Sequence, residues 1–327
     1  MQKYQRLTTK EREEIFLLLN QGVSIREIGR RLGRSHGTIS REINLTGGDY
    51  SPTKATRRAK EEKAKPRKKK LDEGVLKHYV VKRLGRHWSP EQISGRLKQI
   101  HSRVTVSYET IYQFVYSKEG RKNRYCEFLR KGHKRRALKY GRSSQRVKKV
   151  FIPNRAWIEA RPPEAILRST VGHLEADLME GKRVTGGAVS VVADRKSGLI
   201  LLDKLIGKNS GDRMRPLLKR FDRYPRSLHK TITFDNGTEN VEHELLQKYV
   251  NCPTYFTHPY HSWEKGTVEN TIGLLREFIP KGTDLTQVKQ KDLNTIALCL
   301  NDRPRKRLGF KTPSEVTSEE TGWCITS

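Results

Sequence analysis

Positive charge is concentrated in the first half of this 327-residue chain, and no other feature of the sequence limits its possible folds as much. Residues 1–150 carry 40 Lys and Arg against 14 Asp and Glu, a net +26; residues 151–327 carry 27 against 22, a net +5. The core is expected to be concentrated in part of the chain, and at ~100–200 residues per domain the length suggests two or three domains. Excess charge confined to one half points to a polyanionic partner, most simply nucleic acid. Only 34% of residues are hydrophobic, and no stretch approaches the roughly 20 apolar residues that span a bilayer. The start, MQKYQRLTTK, lacks an apolar signal core. Cys126, Cys252, Cys299 and Cys324 are far apart with no Cys-x-x-Cys pair, which argues against a disulfide scaffold or zinc ribbon. The expectation is a cytoplasmic protein, not a membrane protein.

Capping signals divide the basic half. Thr8 with Glu11 and Ser24 with Glu27 are T/S-x-x-E boxes, each opening an apolar helical stripe, and Ser35 can cap HGTISREI. Three short helices with a Gly-centred turn, Gly33, predict a helix-turn-helix unit over 1–50. Arg34, His36, Thr38, Ser40 and Arg41 are its candidate DNA contacts. Residues 51–74 are nearly free of large apolar residues and predict a basic linker. Ser89-Pro90-x-Gln92 opens a further helix and Ser107 caps YETIYQFVY, predicting a second helix-turn-helix unit over 75–117. Tyr108, Glu109, Tyr112 and Gln113 are expected on its outer face. A second basic linker, with KGHKRR and RVKK, fills 118–164.

From 165 the pattern changes. HLEADLMEG, GAVSVVAD and GLILLDKL predict three successive strands, followed by helix, strand (HKTITFD), helix, strand (PTYFTH) and a long final helix, KGTVENTIGLLREFI. This order predicts a mixed α/β, ribonuclease-H-like domain over 165–316, with a tail at 317–327. Asp177 lies inside the first strand, Asp235 ends the fourth before an Asn-Gly turn, and Glu269 lies in the last helix. Three converging carboxylates suit Mg²⁺ or Mn²⁺, two ions per site in phosphoryl transfer. Asp194 is expected to start a turn. Glu264 is expected in solvent or on DNA ahead of the helix. His173, His258 and His261 show no metal-ligand spacing, and Trp263 is suited either to stacking on a base or to closing the core.

HLEADLMEGK, ITFDNGTEN, SWEKGTVENTIGLLREFIPKGTDL and LNDRPRKRLGFKTPSEV resemble the DDE transposases of bacterial insertion sequences, most closely the IS-thirty family. SHGTISRE, WSPEQISGRL and SYETIY extend the resemblance over nearly the whole chain. It implies a retroviral-integrase-like catalytic domain with Asp177, Asp235 and Glu269 as catalytic and metal-binding residues. It also implies double-stranded DNA partners, namely the element's terminal inverted repeats and a target, and a dimer or larger assembly on DNA. Lys265, Arg276 and Trp263 are further candidate DNA contacts beside the active-site helix. The chain has His173-Leu174-Glu175-Ala176-Asp177 where the family usually has Trp-Glu-Gly-Asp. It reads Val268-Glu269-Asn270-Thr271-Ile272-Gly273 where Asn-Glu-Asn-x-Asn-Gly is common. Two rivals are a repressor whose catalytic domain is inactive and a structure-specific nuclease on the same fold.

Overall fold

The computed structural model describes residues 6–45, 49–64, 71, 74–101, 104–130, 152–182, 187–207, 210–259 and 261–323. The chain forms two compact units, Met1–Lys69 and Lys70–Ser327. The basic runs KGHKRR and RVKK, and Cys324 in the tail, lie outside the described residues.

In the first unit, α1 (Thr9–Asn20), α2 (Ile25–Arg31) and α3 (His36–Asn44) begin where the capping residues predict. Thr8 Oγ1 accepts the Glu11 N–H at 3.2 Å while Glu11 Oε2 accepts the Thr8 N–H at 2.7 Å, pairing two amides that α1 would leave open. Ile15, Leu18, Ile28 and Ile39 form the core with Leu7 and Tyr50. A Cβ on Gly29 would lie 2.8 Å from the Arg34 carbonyl oxygen, so only glycine lets α2 and α3 close up around their turn. Residues 52–64, expected as linker, instead form α4 (Pro52–Ala64). Ala55 is fully buried in that core, Arg58 donates to the Leu45 carbonyl, and most other residues of the helix are charged or small.

The second unit opens with α5 (Val75–Leu84), α6 (Pro90–Ile100), α7 (Tyr108–Val115) and α8 (Lys118–Lys122), packed on Val80, Leu84, Trp88, Ile93, Leu97 and Ile111. These helices are fixed to the sheet-bearing part of the same unit. Phe310, held at φ +65°, presses its ring where a Cβ on Gly95 would be, 2.3 Å away, and Arg96 pairs with Glu315. Part of the expected linker 118–164 is also ordered, as α8 and α9 (Pro163–Leu167).

The sheet has the order β3-β2-β1-β4-β5. β1 (His173–Glu180), β2 (Ala188–Asp194) and β3 (Ile200–Leu205) are antiparallel neighbours; β4 (Thr231–Phe234) and β5 (Thr254–Phe256) continue parallel to β1. One face carries Leu174, Ala176, Val192 and Leu201 against α10 (Ser210–Arg223) and α11 (Glu244–Val250). The other carries Met179, Val189, Val191 and Leu202 against α12 (Gly266–Leu275) and α13 (Gln290–Asn301). The expected final helix is thus followed by α13 and α14 (Pro313–Thr321). Helix α13 covers the edge strand: Asn301 accepts from the Ile200 N–H at 2.8 Å and donates to its carbonyl at 2.9 Å, supplying hydrogen bonds that a neighbouring strand would make.

Candidate active site

Side chains alternate along β1, so Leu174 and Ala176 enter the α10 core while Glu175, Asp177 and Met179 face α12. Glu175 pairs with Thr233 in the parallel ladder to β4, and continuing that register by two residues sets Asp177 level with Asp235. The two aspartates share one cation. The Lys265 amine lies 3.3 Å from Asp177 Oδ1 and 3.3 Å from Asp235 Oδ2. The lysine is buried, whereas the aspartates remain partly open to solvent.

A polar network beneath Asp235 fixes its orientation. Asn240 Nδ2 donates to Asp235 Oδ1 at 2.9 Å, and Asn240 Oδ1 accepts from Arg213 Nη1 at 2.7 Å. Arg213 is fully buried and lies over the Phe234 ring. Burial alone would raise the Asp235 carboxyl pKa, but the Lys265 and Arg213 charges outweigh it and hold the group below the usual carboxylate range. Nearby Glu239 moves the other way: burial raises it, with the Asp235 charge adding to the effect. The sequence reading missed Arg213, Glu239 and Asn240. Glu239 and Asn240 lie within ITFDNGTEN, so adjacency to Asp235 was an available signal; Arg213 is hidden as a charge in the buried stripe Met214, Leu217, Phe221.

Glu269 is exposed on α12, one turn beyond Lys265. Its carboxylate does not join Asp177 and Asp235 in a group with ligand atoms all within 4.8 Å. Among the described residues the group that meets this distance is His258, His261 and Glu264, three residues read from sequence as without a shared role. Glu264 is half-buried and hydrogen-bonded. It accepts the His258 N–H at 2.8 Å and lies 3.2 Å and 3.1 Å from Nδ1 of His258 and His261. Those hydrogen bonds join all three groups and tie the loop that leads into α12. They also outweigh burial and keep the Glu264 pKa low. Trp157 stacks on His258, and Trp263, 69% exposed, stacks on His261 at 4.4 Å between ring centres.

The remaining predicted contacts divide into two groups. His36 and Arg41 are exposed on α3, and Thr38 and Ser40 are half-buried beside them; Tyr108, Tyr112 and Gln113 are exposed on α7. Arg34 turns onto α1 instead, where its Nε lies 2.8 Å from Glu11 Oε1. Lys265 is committed to the aspartates. Arg276 donates to the Glu180 carbonyl at 2.8 Å, tying the end of α12 to β1. Asp194 starts its turn as expected, accepting from Ser197 N at 2.6 Å.

Residues 3–44 match a helix-turn-helix domain family. The chain is 34% identical to the transposase for insertion sequence element IS4351 of Bacteroides fragilis, over 94% of each chain. It is 36% identical to transposase InsI for insertion sequence element IS30A of Escherichia coli (strain K12), over 95% of this chain and 82% of that one. It is 34% identical to the transposase for insertion sequence element IS1086 of Cupriavidus metallidurans, over 97% and 95%. Similarity of this extent, on a chain that pairs a helix-turn-helix unit with a mixed α/β sheet, establishes that it belongs to the IS30 family of insertion-sequence transposases.

Proposed function

We propose that the protein is a DDE transposase with a ribonuclease-H-like catalytic domain, which cuts and joins DNA at the ends of its own element. The observation that carries this is the meeting of Asp177 and Asp235, from adjacent strands, on one buried cation. The ammonium of Lys265 occupies the place of positive charge between two hard carboxylate oxygens, and such donors fit Mg²⁺ or Mn²⁺. Asp177 and Asp235 would hold the ions, with Glu269 reaching over from α12 as the third carboxylate. When bound, such ions activate the attacking oxygen and stabilise the leaving one.

The chain's own residues do the positioning. Asn240 holds Asp235 in orientation and is itself held by Arg213. His36, Thr38, Ser40 and Arg41 on α3 contact the terminal inverted repeat, with Tyr108, Tyr112 and Gln113 on α7 as a second contact surface. Trp263 offers a flat exposed ring at the rim for stacking on a base. Hydrolysis of a phosphodiester at the element's end breaks its bond to the 3′ oxygen and leaves a 3′-OH. That oxygen then attacks a phosphodiester of the target, one P–O bond forming as another breaks, so no ATP is needed. Two ends must be held together, which calls for a dimer or larger assembly on DNA.

The test uses a plasmid bearing the element's ends, incubated with the full chain and Mg²⁺. Asp177→Asn and Asp235→Asn should each abolish cleavage and joining while end binding in a gel-shift assay survives. Cleavage by either variant, or by the unaltered chain in EDTA, would refute the proposal.

A further inference from the structure

Glu175 has no part in the reaction just described, yet it is fully buried two residues before Asp177 on the same face of β1. Its Oε2 accepts the N–H groups of Thr267 at 2.8 Å and Val268 at 3.0 Å, in the first turn of α12. Its Oε1 pairs with Arg195, whose Nε donates to the Ala165 carbonyl at 2.8 Å. A helix start exposes unpaired N–H groups and the positive end of the peptide dipoles, both of which a carboxylate satisfies. Several of the described helices meet that need locally: Thr8, Ser24, Ser35, Ser89, Ser107 and Thr312 each cap their own. Helix α12 has no such side chain at its start. Its cap comes from a strand 92 residues away in sequence.

We infer that Glu175 is a positioning residue, which fixes α12 against β1 and thereby sets Lys265 and Glu269 relative to Asp177. Glu269 lies two residues beyond Thr267 and Asp177 two residues beyond Glu175, so one carboxylate anchors both catalytic carboxylates at short reach. A local serine cap would satisfy the same amides without tying the start of the helix to β1. The inference rests on the catalytic reading of Asp177, Asp235 and Glu269 given above.

The experiment compares the full chain with Glu175→Gln, Glu175→Asp and Arg220→Gln. Aspartate keeps the charge beside Arg195 but withdraws it from α12 by about 1.5 Å, one carbon–carbon bond. The Arg220 variant breaks the pair with Asp203 between α10 and β3, and so lowers stability without touching α12. Hydrogen exchange by mass spectrometry should show the amides of residues 267–268 exchanging about tenfold faster in both Glu175 variants, the loss expected for a hydrogen bond to a charged group. The Mg²⁺ concentration for half-maximal end cleavage should rise about tenfold in both, as for loss of an outer support of a metal site. It should be unchanged in Arg220→Gln. Wild-type exchange at 267–268, or a Mg²⁺ requirement that stays at the wild-type value in both Glu175 variants, would overturn the inference. Absence of Mg²⁺-dependent cleavage by the unaltered chain would count against the catalytic reading, and the exchange data would still judge the anchor.

Discussion

Replacing Lys265 by Met tests whether the aspartate pair is a cation site. Methionine fills the volume of the buried lysine stem and removes only the charge. Each N–O contact is 3.3 Å. At an effective dielectric of ~20, one such contact is worth about 5 kcal/mol of Coulomb attraction. Most of that is offset by the cost of burying the ammonium. Asp177 and Asp235 are 23% and 37% exposed, so water takes over part of the task once the amine is gone. The net loss should be about 1–2 kcal/mol, less than the roughly 3–5 kcal/mol of a fully buried pair broken on one side. For a unit of this size that corresponds to a fall in Tm of about 3–6 °C.

The assay is thermal unfolding in EDTA and then across a Mg²⁺ titration. In EDTA the variant should melt below the unaltered chain. Added Mg²⁺ should then raise its Tm by more than it raises that of the unaltered chain, because no ammonium competes for the same oxygens. An ion present at ~100 times its Kd stabilises by about 2.7 kcal/mol, enough to reverse the deficit. Equal melting in EDTA, or a smaller Mg²⁺ response in the variant, would refute the placement of a cation between these aspartates.

Two further outcomes follow from the ion pairs. The Glu11 carboxyl is held at about 2 by hydrogen bonding to Arg34, against an ordinary 4.5. A depressed carboxyl stabilises above its unfolded value and loses that contribution as pH falls, so urea unfolding should find Glu11→Gln about 1 kcal/mol weaker near neutral pH, the gap closing between pH 4.5 and 2. Glu264→Gln should lower both Tm and strand cleavage by loosening the loop before α12, whereas Glu269→Gln should abolish cleavage at unchanged Tm; a Glu264 variant that melts and cleaves like the unaltered chain would contradict the loop role.

Local chemistry explains what was legible in the sequence. Side-chain caps such as Thr8, Ser89 and Ser107 act within three residues, so the helices they start can be located from neighbouring residues alone. The strands were legible because their apolar runs are bounded by turns, and Asp177 and Asp235 because each sits on such a run or at its end. Helix α4 was hidden because Ala55 is the one residue it buries, and composition registers only its charge. Helices α5 to α7 looked like a separate unit because Gly95 and Arg96 give no local sign that Phe310 and Glu315, more than 200 residues on, press against them.

The same reasoning separates the site's carboxylates. Glu175, Asp177, Glu264 and Glu269 are chemically alike in sequence, and their roles diverge through what each one meets. Glu175 meets two backbone amides and a buried arginine, so its charge is consumed in holding α12. Glu264 meets an amide and two imidazoles, and holds a loop. Asp177 and Asp235 share one ammonium, accept also from the Leu178 N–H and Asn240 Nδ2 respectively, and still face solvent, which leaves oxygens available to another cation. Glu269 is exposed on the first turns of a helix that Glu175 holds in place. A carboxylate whose lone pairs are already taken by backbone amides serves as a strut, whereas one left facing water beside another can serve as a ligand. By that criterion Asp177 and Asp235 are open to the ligand role proposed for them above, whereas Glu175 and Glu264 are taken up in holding the chain around them.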